Sequence, residues 1–423
     1  MKKKLPLLTL IIYTTLWGQN TQDTQSSSHF ITPEILYGNL IPANTDFPET
    51  KPQKGFLLSF GKFQDTTEEW TYRLNKPRTG ITLGVNDFGN TEKVGYVFSV
   101  LPFVEFNLFR KRKKDLHLQV GMGASYFNKR FDSVTNPFNQ GVTTKITWSF
   151  RMFLYFDVLK KERIHWRLGG GYFHHSNGHT KLPNQGFNSF LLSASAQFRY
   201  AKKLPSSTTP FLSSEEPYVK SSNYFISLRT GVGQNVLSEE LNDKREVYSI
   251  ALSTGKVINS TYKIGFGLYY RFYEHYYDYI KANEGLIPEF YSEYVQHPFQ
   301  YATNFGAFVS GELLLNHIGI EVNLGYNFHK PAYDFDWQLN EGFTYTEDYG
   351  NGPITFVELG DLESTKYKLK KRVSSRLGLK YYLFGTALKP LHNFYLGAHI
   401  NGNLGQADFS ELSLGYVHSF SFK

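Results

Sequence analysis

The sequence predicts an all-β protein: a transmembrane antiparallel β-barrel of about 16 strands, closed as one wide barrel or as two 8-stranded barrels in tandem, behind an N-terminal signal peptide. Three observations carry this reading. Segments of strictly alternating polarity recur along the chain, the connections between them mostly alternate between short and long, and aromatic residues make up 17% of a chain whose mean hydropathy is nonetheless negative. No internal stretch approaches the roughly 20 apolar residues that a membrane-spanning helix needs.

The alternation is explicit in 115–126, DLHLQVGMGASY. Leu116, Leu118, Val120, Met122, Ala124 and Tyr126 fall on one face and Asp115, His117, Gln119 and Ser125 on the other. In 144–157, Ile146, Trp148, Phe150, Met152, Leu154 and Phe156 oppose Lys145, Thr147, Ser149, Arg151 and Asp157. One face suits hydrocarbon and the other suits water. Strands of soluble sandwiches run to about 5 or 6 residues, whereas these reach ten or more, as a tilted membrane strand requires. Strands are expected to begin near residues 30, 55, 79, 95, 115, 144, 163, 188, 224, 245, 262, 303, 317, 374, 392 and 411.

The connections RKRKK (110–114), KKER (160–163), LNHIG (315–319) and ALKP (387–390) are short, while 127–142, 275–302 and 328–373 are long. Short periplasmic turns and long outer loops are the pattern of outer-membrane barrels. Segments 64–78 and 201–223 depart from it. The last strand, ELSLGYVHSFSFK, places Leu412, Leu414, Tyr416, His418, Phe420 and Phe422 on one face, and such aromatic chain ends resemble the signal read by the barrel assembly machinery.

At the other end, MKKK followed by LPLLTLIIYTTLWG reads as a basic region and an apolar region of a signal peptide over 1–18. The chain divides further into barrel strands over 19–200, a Pro- and Ser-rich turn or linker over 201–222, and more barrel strands over 223–423. Closing one sheet removes every open edge, which favours the single wide barrel. There is no cysteine, so serine, histidine and carboxylates must carry any chemistry. The formal charge of +8 includes three lysines of the expected signal peptide, and the surplus of about +5 that remains suits an anionic membrane surface; no phosphate-cradling loop or nucleic-acid module occurs.

Residues 170–190, GGYFHHSNGHTKLPNQGFNSF, form the one hairpin whose parity is anomalous. The apolar face of 163–176 carries Ile164, Trp166, Leu168 and Tyr172, and then His174 and Ser176. In the following strand Asn188 shares the apolar face with Phe190 and Leu192. Polar groups facing lipid are costly unless water or a polar headgroup reaches them, so the substrate would be a lipid. Residues i and i+2 of a strand lie about 6 to 7 Å apart, within reach of an imidazole leaning towards a serine. His174 can therefore act as base to Ser176, and Asn188 can orient the imidazole as in Cys-His-Asn enzymes. The turn supplies Gly178, Gly186 and the Asn184 amide, with backbone N–H groups able to hold an oxyanion.

HHSNG followed by PNQGFN resembles the active-site hairpin of the PagL-type lipid A 3-O-deacylases, outer-membrane esterases. That family's pattern is His-x-Ser-Asn, then Pro-Asn, then an acidic residue at the start of the last strand. The resemblance implies His174 as base, Ser176 as nucleophile, and Asn177, Gly178 and Asn184 as the oxyanion region. It covers roughly 30–200, and the remaining strands are similar to those of extended, acyloxyacyl-hydrolase-type outer-membrane proteins. The sequence departs from the pattern at the acid, where Asn188 stands. A neutral amide orients an imidazole but stabilises imidazolium less well than a carboxylate.

His175 and His179 beside His174 raise a metal site, but His175 falls on the opposite face and the hairpin has no Asp, Glu or Cys. Neither metal nor cofactor is expected. In GAHINGNLGQADFSEL (397–412) the parity turns His399 and Asn401 towards the lumen, as pore-lining residues. Loop 328–373 reads as solvated, with acidic and basic stretches suited to a cation or to lipid phosphates, and GLYYRFYEHYYDYI (267–280) reads as an aromatic girdle. The function expected is an outer-membrane lipid A 3-O-deacylase-type esterase acting on lipopolysaccharide through Ser176, His174 and Asn188. The competing class is a non-catalytic porin or surface barrel.

Overall fold

The computed structural model describes residues 29–64, 68–109, 115–200, 218–348 and 353–420. The expected signal peptide, the 110–114 turn, most of the 201–222 segment and the chain end at Phe422 lie outside the described residues.

Sixteen strands form two closed antiparallel barrels of eight. The first comprises β1 (His29–Ile41), β2 (Gln53–Phe63), β3 (Arg78–Asp87), β4 (Tyr96–Asn107), β5 (Leu116–Phe127), β6 (Ile146–Lys160), β7 (Ile164–Ser176) and β8 (Phe187–Tyr200). The second comprises β9 (Ser222–Asn235), β10 (Arg245–Ile258), β11 (Tyr262–Tyr273), β12 (Thr303–Leu315), β13 (Ile318–His329), β16 (Val373–Tyr382), β17 (His392–Asn403) and β18 (Gln406–Phe420). A separate hairpin, β14 (Phe343–Asp348) and β15 (Pro353–Glu358), stands outside both rings. The expected strands are all present, with the largest displacement at β18, which begins at Gln406 rather than near 411.

The single wide barrel is therefore corrected to two narrow ones. β1 pairs with β8 from His29↔Tyr200 to Ile41↔Asn188, and β9 pairs with β18 from Gln234↔Ser410 to Tyr224↔Phe420. Removal of edges does not discriminate, because two closed rings satisfy it as completely as one. The inward side chains do discriminate. Eight strands enclose a space just wide enough for side chains to fill, and the inward positions carry bulky groups that meet across it. In the first barrel Arg151 donates to Glu34 at 2.6 Å, and Tyr155 and Ser193 donate to the same carboxylate at 2.7 and 2.6 Å. Arg167 pairs with Glu105 at 2.9 Å. In the second, Lys380 bridges Glu312 and Glu321 at 2.9 and 2.6 Å, and Arg229 meets Glu411 at 3.0 Å.

Outward positions are apolar and open: Leu192 is 69% exposed and Leu396 65%. His399 and Asn401 do face the second lumen, where His399 meets Arg376 at 2.8 Å and Asn401 donates to Glu411 at 2.7 Å. They belong to a packed plug, however, and not to a pore wall. Cavities of about 20 Å³ and about 10 Å³ remain among the lumen side chains of the second barrel, room for about one water each.

Two loop readings are also corrected. Tyr273 and Tyr276, read as girdle residues, are buried and pack with Ile280, Ile287, Tyr291 and Phe335 into an aromatic cap over one end of the second barrel. Phe335 lies on a helix, Tyr333–Asn340, so the start of the 328–373 loop is packed and not solvated. Tyrosines and phenylalanines large enough to cover a barrel mouth bury more apolar area there than at a lipid rim.

The barrels touch at both ends. At the short-turn end, Trp70 of the Glu69–Arg73 helix packs on Val104 and on Leu315 of the second barrel, and Asn316 donates to Glu68 at 3.2 Å. At the other end, β18 and the β9–β10 loop meet the 177–186 hairpin.

Plugged lumens predict that the purified protein gives no steady ion conductance in a planar bilayer, and open-channel currents would contradict the packing. Glu411→Ala removes the partner of Arg229 and Arg376 and should cost about 3–5 kcal/mol, the range for breaking a buried ion pair. Urea unfolding in detergent micelles measures it.

Candidate active site

The site is a consequence of register. β7 and β8 pair so that His174 stands directly opposite Asn188, and β6 and β7 pair so that Trp148 stands opposite Ser176. Side chains of opposed residues project from the same face of the sheet, here the outer one. Trp166, Leu168 and Phe190 continue that face at 50%, 54% and 61% exposure. His175 points the other way, fully buried in the lumen among Phe88, Phe127 and Phe173, with Nδ1 2.8 Å from Ser149 Oγ. No group of three His, Cys, Asp or Glu placed to hold a metal occurs among the described residues.

His174 Nδ1 lies 2.8 Å from Asn188 Oδ1. An amide oxygen can only accept, so Nδ1 carries the proton and Nε2 keeps its lone pair. Tyr172, two residues earlier on the same face, donates its hydroxyl to the same Asn188 Oδ1 and lies 3.4 Å from His174 Nδ1. Two donors thus converge on one amide oxygen and hold it in place.

Ser176 is only 8% exposed, covered by the hairpin that follows it. Its Oγ accepts from the backbone N–H of Gly178 at 3.2 Å and from the Asn184 amide at 2.8 Å. His174 is not among the hydrogen-bond partners of Ser176. Asn184 is held in turn, because its Oδ1 accepts from the Asn177 N–H at 3.0 Å. The side chain of Asn177 does not reach Ser176. It accepts from the Thr180 N–H at 3.1 Å and donates to the Lys181 carbonyl at 2.6 Å, bracing the turn. Of the three expected oxyanion residues, Gly178 and Asn184 therefore meet the serine, and Asn177 supports the loop that presents them.

Glycine is required at both shoulders of this turn. Gly178 has φ +66 and Gly186 φ +75, in the left-handed region that side chains disfavour. A Cβ on Gly186 would also lie 3.0 Å from His174 Cε1, so the returning chain passes flush against the imidazole. His179, also at positive φ, is pushed below the usual imidazole range by its burial at the tip, with Asp408 opposing the shift.

Two participants lay outside the sequence reading. Tyr172 had a visible signal, its position two before His174 on the same face. Trp148 had its parity, but nothing local announced that its Nε1 would donate to Ser410 of the second barrel at 2.9 Å.

Residues 57–197 match the model of the family described as lipid A 3-O-deacylase (PagL). The match falls within the first barrel, from β2 to β8. The matched stretch contains every residue of the hairpin site, and the protein is accordingly one of the bacterial outer membrane. No curated protein matches the chain. Among solved structures, the outer-membrane enzyme PagL is 15% identical, aligned over 39% of this chain and 97% of its own at a TM-score of 0.29. OccK1 (OpdK) of Pseudomonas aeruginosa is 10% identical over 94% and 99% at a TM-score of 0.20. At such scores neither likeness carries an argument.

The two donors on Asn188 Oδ1 make Tyr172 testable. Tyr172→Phe removes one donor from Asn188 Oδ1, worth about 1 kcal/mol, and should slow phosphonylation of Ser176 by a fluorophosphonate, with loss of fluoride, about fivefold. An unchanged labelling rate would show that Asn188 needs no second anchor.

Proposed function

We propose that the protein is an esterase of the lipid A 3-O-deacylase type, removing an ester-linked 3-hydroxyacyl chain from lipopolysaccharide in the outer leaflet. One observation carries the reading: on a lipid-facing strand pair, a histidine with a bare Nε2 stands two residues from a serine whose Oγ receives two hydrogen-bond donors.

The chemistry follows from those atoms. His174 Nε2 takes the proton of Ser176 as Oγ attacks the ester carbonyl. The imidazole must lean towards the serine for this step, and such contacts commonly tighten only when substrate is bound. Negative charge collects on the former carbonyl oxygen, and the Gly178 N–H and Asn184 amide, already grouped at Oγ, are the donors within its reach. His174 passes the proton to the departing sugar oxygen, and the carbon–oxygen bond of the ester breaks. Water, deprotonated by His174, then releases the 3-hydroxy fatty acid from Ser176. Asn188 holds the Nδ1–H tautomer throughout, and the route draws on no cofactor.

The lipid face suits the substrate. An acyl chain can stay in hydrocarbon beside Phe150, Phe190 and Leu192 while its ester meets the hairpin, so the ester need not leave the membrane. The packed lumens count against a channel as the principal function.

The reading is tested by mass spectrometry of lipid A from cells carrying the wild type, Ser176→Ala or Asn188→Glu. Loss of one hydroxyacyl chain is expected with the wild type and absent with Ser176→Ala. A carboxylate at 188 makes a charge-assisted bond to the imidazolium, stronger by about 1 kcal/mol than a neutral one, and should raise the rate about fivefold. Unchanged lipid A in the presence of a correctly inserted wild type would overturn the proposal.

A further inference from the structure

The 177–186 hairpin is held from two sides. Its returning arm rests on the first barrel's own long loop: Gln185 N–H donates to Gln140 O at 3.1 Å, Gly186 N–H to Gly141 O at 2.9 Å, and Thr143 Oγ1 to Pro183 O at 2.5 Å. The tip, 178–182, takes its outside partners from the second barrel. Asn242, in the β9–β10 loop, donates Nδ2 to Leu182 O at 2.7 Å and accepts Leu182 N–H on Oδ1 at 2.9 Å. One side chain thereby satisfies both polar groups of one residue's backbone, as a neighbouring strand would. Ser410 of β18 accepts from Trp148 Nε1 at 2.9 Å and lies 3.4 Å from Gly178 O, to which its hydroxyl donates. The approach is so close that a Cβ on Gly178 would fall 2.2 Å from Ser410 Oγ.

These contacts bracket the groups that meet Ser176. Leu182 is two residues before Asn184, and the Gly178 carbonyl belongs to the residue whose N–H bonds Oγ. We propose that the second barrel is a clamp for the active-site hairpin, with Asn242 and Ser410 acting as positioning residues that hold the Gly178 N–H and the Asn184 amide on Ser176. The clamp itself is a statement about hairpin order, and its effect on rate rests on the esterase reading above. An excursion of the tip by about 1 Å would remove both donors from the place where charge develops, and misplacements of that size cost up to about a hundredfold in rate.

The test uses the full-length protein in detergent micelles with three variants. Asn242→Ala with Ser410→Ala removes the clamp. Asn242→Asp keeps the acceptor for Leu182 N–H and loses the donor. Asn316→Ala breaks the inter-barrel bond to Glu68 at the opposite end and controls for general loosening of the pair. Two quantities are read: hydrogen–deuterium exchange of the 177–186 amides, and kcat and KM for lipid A.

For the double variant, faster exchange confined to the hairpin and a kcat lower by about ten- to a hundredfold, with KM within about twofold, is expected. Asn242→Asp should fall between it and the wild type, and Asn316→Ala should match the wild type in both readings. Hairpin exchange unchanged in the double variant overturns the clamp, and so does an equal response to Asn316→Ala. Should the wild type hydrolyse nothing while hairpin exchange still responds to Asn242 and Ser410, the clamp stands and the esterase reading falls.

Discussion

Backbone closure is the constraint on which the rest of the molecule depends. Within hydrocarbon no water is available to satisfy a strand's N–H and C=O groups, so each strand must pair on both sides and each sheet must meet itself. Once β1 is paired with β8 and β9 with β18, every spanning residue is committed to one of two faces. The period of two then separates lipid from lumen with no further freedom. His174, Ser176 and Asn188 lie on the lipid side because closure and parity put them there.

The lumens show the other half of the same commitment. Charges placed inward at spanning depth have no bulk water, and they are found in pairs and chains: Glu34 with Arg151, Glu105 with Arg167, and Glu312, Glu321 and Glu411 with Lys380, Arg376 and Arg229. Such networks are demanding, since each member left alone would be a buried unpaired charge. They fill the barrels and leave the outer face and the loops to carry function. Three polar side chains grouped on an otherwise apolar outer face are therefore an exception that needs a reason, and the proposed lipid ester would supply one.

The hairpin also shows how a loop is made rigid enough for chemistry. Left-handed glycines at 178 and 186 turn the chain, Asn177 ties the turn to itself, and Asn184 is held by the Asn177 N–H while its amide meets Ser176. A second barrel pressed against the tip adds partners that a single ring does not have. Two barrels in one chain thereby become more than a duplication of membrane anchors.

Much of this was legible in the residues themselves. Alternation located the strands, and parity alone separated His174 from His175 and joined Asn188 to Ser176, because side-chain direction in a strand depends only on counting by two. The motif HHSNG with PNQGFN marked the hairpin. What the alternation cannot encode is which strands pair across the ends of the chain, so one ring of sixteen and two rings of eight read alike. The reach of Arg151 to Glu34 across a narrow lumen separated them. Likewise the convergence of Tyr172 and His174 on Asn188, and the seat of Leu182 on Asn242, join groups from 14 to 60 residues apart. Local sequence sets the direction of a side chain, but only the closed and docked sheets decide what it meets.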